Sequence, residues 1–398
     1  MTLAESRVQR ELDGQFPSAL GDSIADDPPA IHAVDEIFAA AIGAGASDIH
    51  IEPFGEGGRV RERVDGMLCE ARFISRRLLP RILSRIKLLA GMDIADRRLP
   101  QDGRYAIDRP NGSIDARVSS MPTIGGEKLA IRLLDSRQHI PSLESLGMSP
   151  ELLPRYRRVI AASSGFVIVC GPTGSGKTTT LYASMCERDN GAEQLCSIED
   201  PVEIRLSGIA QVQVNVRAGL TFAAGLRSFL RQDPNVIMIG EMRDSETACV
   251  ATSAALCGQL VLTTLHSKDV FTAIGRLIEL GISPKSVAAA VSAVVSQRLL
   301  RRLCTECKRQ TKAGVWAAVG CRACGSTGYR GRCAAFEFAH ITPELGHAIE
   351  TEAGPAVVHE AAKISGYKPL AEGVADLIAT GESSPAEAER ILGVGETA

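Results

Sequence analysis

The run VIVCGPTGSGKTTTLYASM (Val167–Met185) carries an apolar stretch straight into Gly-x4-Gly-Lys-Thr, from Gly171 to Thr178. The small residues Gly171, Pro172, Thr173, Gly174, Ser175 and Gly176 let successive backbone N–H groups turn inward around an anion. A helix opening near Lys177 adds its positive N-terminal end. Lys177 is predicted to reach the β- and γ-phosphates of a nucleoside triphosphate. The Thr178 hydroxyl is predicted to hold Mg²⁺, with Thr179 beside it at the helix start. The local context fits, because a strand-like run precedes the loop and a helix-like run follows it.

Carboxylates and a histidine end three further apolar runs. VIMIGEMRD delivers Glu241, which at a strand end can polarise water or hold Mg²⁺ through water. CSIEDPVE offers Glu199, Asp200 and Glu203 around Pro201. Three acids there repel one another unless a cation or arginines stand close, which favours a metal and phosphate site over a plain turn. LVLTTLHS ends near His266, which can sense a γ-phosphate or simply satisfy a strand end. Arg227 and Arg231 stand four apart, hence on one helical face, and either neutralise phosphate or pair with nearby acids.

Two Cys-x-x-Cys pairs, Cys304/Cys307 and Cys321/Cys324, are separated by 13 residues. That spacing fits a closed, four-thiolate tetrahedral zinc site. Cys333 is an available fifth thiol outside the set. The remaining cysteines are scattered among apolar residues, as buried thiols in a reducing compartment would be.

The elements that must position these groups follow from the rest of the chain. At 398 residues, two or three domains are expected, and 45% hydrophobic against 23% charged residues describes a globular chain. A net charge of -3 gives no global basic field, and 4% aromatics offers little for base stacking. The N-terminus mixes charges of both signs, so it reads as neither signal peptide nor membrane span. No run of about 18 apolar residues occurs. A cytoplasmic protein is expected, with membrane contact through a partner.

Residues 1–30 read as a flexible polar leader. Residues 31–139 read as a first α+β domain, with helical AIHAVDEIFAAAIGAG and LLPRILSRIKLLAG among short strands. Within it, residues 59–132 hold 16 Lys+Arg against 9 Asp+Glu, a local balance of +7. That is either a solvated basic face or a surface that approaches phosphate. Residues 140–398 read as a second domain whose strands FVIVC, LCSI, NVIMIG and LVLTTL alternate with helices. This implies a mostly parallel sheet covered on both faces. A 304–333 zinc module and a helical region over 340–398 belong to it.

In this order and spacing GPTGSGKT, SIEDPVE, VIMIGEMRD and CGQLVLTTLHS resemble the Walker A loop, Asp box, Walker B segment and His box of the secretion-motor ATPases of type II secretion and type IV pilus assembly. GASDIHIEP, RVDG, PQDGRY, RVSSMPT and GEKLAIRLLD extend the likeness into the first domain, over roughly residues 31–398. The resemblance implies a RecA-like ATPase domain, a PAS-like N-terminal domain and a homohexameric ring with ATP between the two domains. It implies Glu203 as general base, Glu241 as Walker B carboxylate and His266 as sensor. It also implies Arg104 and Arg117 as arginines that close on the triphosphate, and it supplies a tetracysteine zinc module, here with a short gap. The chain departs from the pattern at Cys257-Gly258-Gln259, where Thr-Gly-His is usual, and at Asn235, where Asp is common. The family often carries a further N-terminal domain that docks on an inner-membrane partner, and here a leader of 30 residues is expected ahead of the first domain.

These readings converge on a cytoplasmic hexameric ATPase, peripheral to the inner membrane, using ATP, Mg²⁺ and Zn²⁺ to drive pseudopilus assembly. Its expected partners are platform and docking proteins rather than nucleic acid. A type IV pilus or DNA-uptake ATPase is the nearest alternative. A nucleic-acid translocase and a nucleotide-gated scaffold are more distant ones.

Overall fold

The computed structural model describes residues 27–109, 112–135, 140–312 and 314–393. These form two compact units, divided after Asp135. Residues 1–26 of the leader expected over 1–30, and the domain boundary expected at 139, lie outside the described residues. Helix α1 (Pro28–Gly43) begins earlier than the expected start at residue 31. Asp27 caps it by accepting from the Ala30 N–H, and Pro28 supplies a preset φ at the first turn.

In the first unit, strands β1 (Asp48–Phe54), β2 (Gly57–Val64), β3 (Met67–Ile74), β4 (Gln101–Arg109), β5 (Gly112–Thr123) and β6 (Gly126–Asp135) form one antiparallel sheet, order β3-β2-β1-β6-β5-β4. Period-two alternation sends Ile49, Ile51, Val60, Ala116, Val118, Leu129 and Ile131 to one face. There they meet α1 and α2 (Leu79–Leu89). The other face carries much of the basic excess. Glu52 pairs with Arg59, Arg61 and Lys128, and Asp48 with Arg63 and Arg132. Arg104 stands directly across from Arg117, and Arg117 across from Arg132.

The second unit enters through α3 (Leu152–Ile160). Its sheet runs β15-β12-β7-β11-β10-β8-β9, built from β7 (Gly165–Cys170), β8 (Leu195–Glu199), β9 (Ala210–Gln213), β10 (Val236–Ile239), β11 (Leu260–Leu265), β12 (Val291–Leu303) and β15 (Tyr329–His340). All neighbours are parallel except β12 and β15. β7, β8, β10 and β11 are buried almost throughout, as strands covered on both faces must be. Helices α4 (Lys177–Arg188), α5 (Phe222–Phe229), α6 (Ser245–Leu256), α7 (Val270–Glu279) and α8 (Pro284–Ala290) connect them. The core lies in two clusters, one on each side of the sheet.

The cysteine pairs lie between the antiparallel strands β12 and β15, with a short hairpin, β13 (Arg309–Gln310) and β14 (Trp316–Ala317), between the two knuckles. The chain then ends in α9 (Pro343–Glu350), α10 (Pro355–Ile364), α11 (Leu370–Ala379) and α12 (Pro385–Leu392), the helical region expected there. Among the described residues no helix is long and apolar enough to cross a membrane.

Candidate functional site

Parallel strands deliver their C-terminal ends to one edge of a sheet. In register, Ile168 of β7 pairs with Thr263 of β11, Thr263 with Ile239 of β10, and Ile239 with Ile198 of β8. The loop after β7, the Asp200 turn after β8, Glu241 after β10 and His266 after β11 therefore emerge on one edge. The sequence scattered these groups over about a hundred residues, and the topology gathers them.

The phosphate loop is shaped for an anion. Gly171, Gly174 and Gly176 have φ of 148°, 77° and 87°, where L side chains are rarely found. A Cβ on Gly171 would stand 2.6 Å from the Gln297 carbonyl, and one on Gly176 would stand 2.8 Å from Gln297 Nε2. Ser175 Oγ is buried without a hydrogen-bond partner in the protein, a polar atom aimed at nothing the chain supplies. Lys177 heads α4 and is only 8% exposed. Its ammonium donates to the carbonyls of Gly171 and Pro172, at 2.9 Å each. Burial, more than any neighbour, pushes its pKa below the usual lysine value. A partly desolvated ammonium resting on carbonyls is a ready counter-charge for a phosphate. Thr178 is half-buried and Thr179 exposed at the helix start. These residues fit a Mg²⁺-bound triphosphate, with the Thr178 hydroxyl the one to hold the ion.

Glu241 lies across from the loop. Its carboxylate pairs with Arg243, whose other terminal nitrogen stands 3.6 Å from Asp200 Oδ2. His266 Nε2 lies 3.7 Å from Glu241 Oε2. Burial and then the Lys177 charge depress the His266 pKa, against the pull of Glu241, so the ring is neutral at pH 7. A neutral imidazole can both donate and accept next to a phosphate. Arg243 answers how the acids after β8 and β10 coexist, for it bridges them. The sequence reading passed over it although it stands two residues beyond Glu241 in the same quoted run.

The three acids after β8 separate by role. Glu199 is buried and accepts from Ser197 Oγ at 2.7 Å, Gln211 Nε2 at 3.1 Å and Tyr182 Oη. Tyr182 Oη in turn accepts from the Glu203 N–H at 3.3 Å. Glu199 thus anchors the turn, and Glu203 is left exposed on it. Of the three, Glu203 and Asp200 are the exposed ones.

The two arginines of the α5 region are not on one helical face. The helix ends at Phe229, and Arg231 lies in the turn beyond, donating back to the Arg227 carbonyl and Ser228 Oγ. Arg227 pairs with Glu246 at 2.7 Å, both exposed. Of the two readings open in the sequence, pairing with a nearby acid is the one seen for Arg227. Gln259 precedes β11, at the end of that strand opposite His266. Asn235 ties the starts of β10 and β8 by accepting from the Gln194 N–H at 2.8 Å. Both departures therefore sit at strand starts, away from the phosphate edge.

The tetracysteine cluster is compact. Cys304 and Cys321 sulfurs are 3.9 Å apart, Cys307 and Cys324 3.8 Å, and Cys321 and Cys324 3.7 Å. Zn–S bonds of about 2.3 Å in a tetrahedron place sulfurs about 3.8 Å apart. Backbone N–H groups of Gly320, Cys321 and Gly328 point at Cys307 or Cys324 sulfur, as they do toward metal-bound thiolates. The four residues fit one zinc ion, and all ligand atoms lie within 4.8 Å of one another. Cys333 stands apart on β15, with its thiol pushed to about 11 by burial.

In the first unit, Arg104, Arg117 and Arg132 line an open depression of about 440 Å³ together with Asp48 and Asp102. This depression lies within the basic stretch that the sequence left open as either a solvated face or a surface that approaches phosphate.

Residues 23–390 match the family model described as type II/IV secretion system protein. The chain is 44% identical over 366 residues to the type II secretion system protein HxcR of Pseudomonas aeruginosa, covering 92% of this chain and 78% of that one. It is 40% identical over 388 residues to the type IV pilus assembly ATPase PilB of Thermus thermophilus, covering 93% of this chain and 43% of that one. In fold it is similar to the Legionella pneumophila ATPase DotB, with a TM-score of 0.68 at 21% identity over 95% of this chain and 98% of that one. A phosphate loop facing a strand-end glutamate and histidine, in a sheet of this order, agrees with those likenesses: the chain belongs to the family of type II/IV secretion system proteins and is one of its ATPases.

Proposed function

We propose that the chain is the motor ATPase of a type II secretion system, a cytoplasmic ring hexamer whose ATP hydrolysis powers pseudopilus assembly. The observation that carries this is the convergence of the phosphate loop, Glu241 and His266 on one sheet edge, in a chain 44% identical to a type II secretion protein over most of its length. In this reading Lys177 and the loop N–H groups hold the β- and γ-phosphates, and Thr178 holds Mg²⁺. Glu241 positions the attacking water, Glu203 takes its proton, and His266 reports the state of the γ-phosphate. Arg104 and Arg117 supply positive charge from the first unit when the ring closes on nucleotide. Arg227, paired with Glu246, and Arg231, which donates to the Arg227 carbonyl, take no step in this reading. The four cysteines hold a structural zinc ion. Work comes from differential nucleotide affinity of open and closed states, delivered to a platform protein in the inner membrane.

A type IV pilus assembly motor is the second reading, favoured by the 40% identity to PilB. Deleting the gene separates the two: loss of secreted proteins with pili intact supports secretion, and loss of pili with secretion intact supports the pilus. The enzymatic part is tested by ATPase rate per chain against protein concentration, with and without single-stranded DNA. A rate that rises with concentration, ignores DNA and vanishes in Glu241→Gln is expected. Stimulation by DNA would favour a translocase and overturn the proposal.

A further inference from the structure

His266 rides on a four-residue bridge, 266–269, between the end of β11 and the start of α7. Its position relative to the phosphate loop depends on what holds that bridge. At its near end the Gly171 N–H donates to the Leu265 carbonyl at 3.3 Å. At its far end three side chains from β7 and β12 reach for two carbonyls. Arg298 donates through one terminal nitrogen to the Lys268 carbonyl, and Ser296 Oγ to the same carbonyl at 3.5 Å. Cys170 Sγ, the last residue before the phosphate loop, donates to the Asp269 carbonyl at 3.5 Å. Asp269 itself is fixed as the N-cap of α7 by a capping box with Thr272.

Arg298 does more than close a loop. Its other terminal nitrogen donates to the Gln297 carbonyl at 3.0 Å and lies 3.2 Å from where a Gly171 side chain would begin. The same guanidinium therefore ties the segment that carries the histidine to β12, and it fills the space beside the residue that opens the phosphate loop. Gln297, its neighbour, accepts from Thr180 Oγ1 of α4 at 2.7 Å and so fixes the other side of the loop. A guanidinium is a planar fork with fixed donor directions, suited to holding two carbonyls at a set separation.

We infer that Arg298 is a positioning residue for hydrolysis: it pins the His266 bridge to β12 beside Gly171, where the phosphate loop starts, so that loop and histidine respond to the γ-phosphate as one body. This rests on the reading of His266 as a residue of the reaction. Arg298 is not required to touch nucleotide, so removing it should slow turnover and spare nucleotide binding.

The test is a double-mutant cycle on the full-length chain, reading kcat and KM for ATP, Kd for ADP and Tm. Misplacement of a reacting group by about 1 Å can cost up to about a hundredfold in rate. Arg298→Ala is expected to lower kcat by at least about tenfold, with KM for ATP and Kd for ADP within about twofold of the parent. His266→Ala is expected to lower kcat as well, and the double variant to fall little below the lower single one, because both act through one group. Arg298→Lys, which keeps one donor, should recover part of the rate, and it is the variant to use if Arg298→Ala does not fold. Multiplying losses in the double variant, or ADP affinity falling with kcat, would overturn the inference. A His266→Ala variant with the parental kcat would sink the reading of His266 itself. His266→Ala impaired beside an unaffected Arg298→Ala would sink only the clamp.

Discussion

Tyr182 shows how one side chain can hold the turn that carries the candidate acids. Its hydroxyl donates to buried Glu199 and accepts from the Glu203 N–H, so it fixes the acid that anchors the turn and the backbone of the acid that would act. Burial, and then the Glu199 carboxylate, push its pKa well above the ordinary tyrosine value, so it stays a donor throughout the working range. Tyr182→Phe leaves Glu199 with Ser197 and Gln211 but removes the hydroxyl that the Glu203 N–H donates to. The expected cost is about 1–2 kcal/mol of stability, read by denaturant unfolding, together with a fall in kcat at unchanged ADP affinity. If stability drops and kcat holds, the turn positions nothing of consequence to the reaction. Nothing in the sequence marked Tyr182, which is five residues from Lys177 on the same helix and far along the chain from the acids it serves. Arg243, by contrast, was within sight of Glu241 in a single quoted run. Its role depends on β8 and β10 lying side by side, which spacing alone does not give.

At the scale of elements, the phosphate loop, strand alternation and cysteine spacing were legible because each is a local pattern: glycine conformations, period two, tetrahedral ligand geometry. The parallel sheet was legible from buried apolar runs, but its order was not. Neither was the 13-residue β12, which lines up beside β7 and then runs into the first cysteine knuckle. The C-terminal helices were read only as helical. The structure ties them to β12 through Glu387, 1% exposed, which accepts from the Arg301 N–H and guanidinium and from Arg390. Burial alone would raise the Glu387 pKa. The hydrogen bonds from Arg390 and Arg301 outweigh it and hold the carboxyl at about 2, against 4.5 unperturbed. A carboxyl depressed on folding contributes stability that is present above 4.5 and lost as pH falls toward 2. Glu387→Gln should cost about 3 kcal/mol at pH 7, because it leaves half-buried Arg301 short of its counter-charge. The gap to the parent should narrow between pH 4.5 and 2, as chemical unfolding across that window would show. The tetracysteine module is tied into the same end of the sheet: Lys308 donates to the Gly381 carbonyl at 2.7 Å and lies over Trp316. Stripping metal with a chelator should release about one zinc per chain and lower Tm. Nucleotide affinity should hold within about twofold, since β7, β8, β10 and β11 carry the phosphate edge. A large loss of ADP binding would instead make the module part of the nucleotide site.

The whole molecule divides its charges unevenly between two units. The second unit holds the phosphate loop and the carboxylates, with one histidine at their edge. The first holds no phosphate loop, yet concentrates arginines on the open face of its sheet. Asp48 and Glu52 take up five cations of that face between them, while Arg104 and Arg117 stand opposite each other around the depression they share with Arg132. Two like charges placed directly across a strand pair repel. An anion delivered between them would relieve that repulsion, and the transition state for phosphoryl transfer is such an anion. If the first unit closes on ATP in the working ring, Arg104→Gln and Arg117→Gln should each lower kcat by about a thousandfold, the scale of an arginine supplied to a transferring phosphoryl group. ADP affinity should change little, because ADP lacks the γ-phosphate and its site lies in the second unit. The losses should be visible only at concentrations where the parent's rate per chain has reached its plateau, where ring assembly no longer limits turnover. Steady-state ATPase assays on matched preparations, with ADP binding measured in parallel, decide the matter. Parental kcat in both variants would confine the chemistry to the second unit and leave the basic sheet face to some other anion.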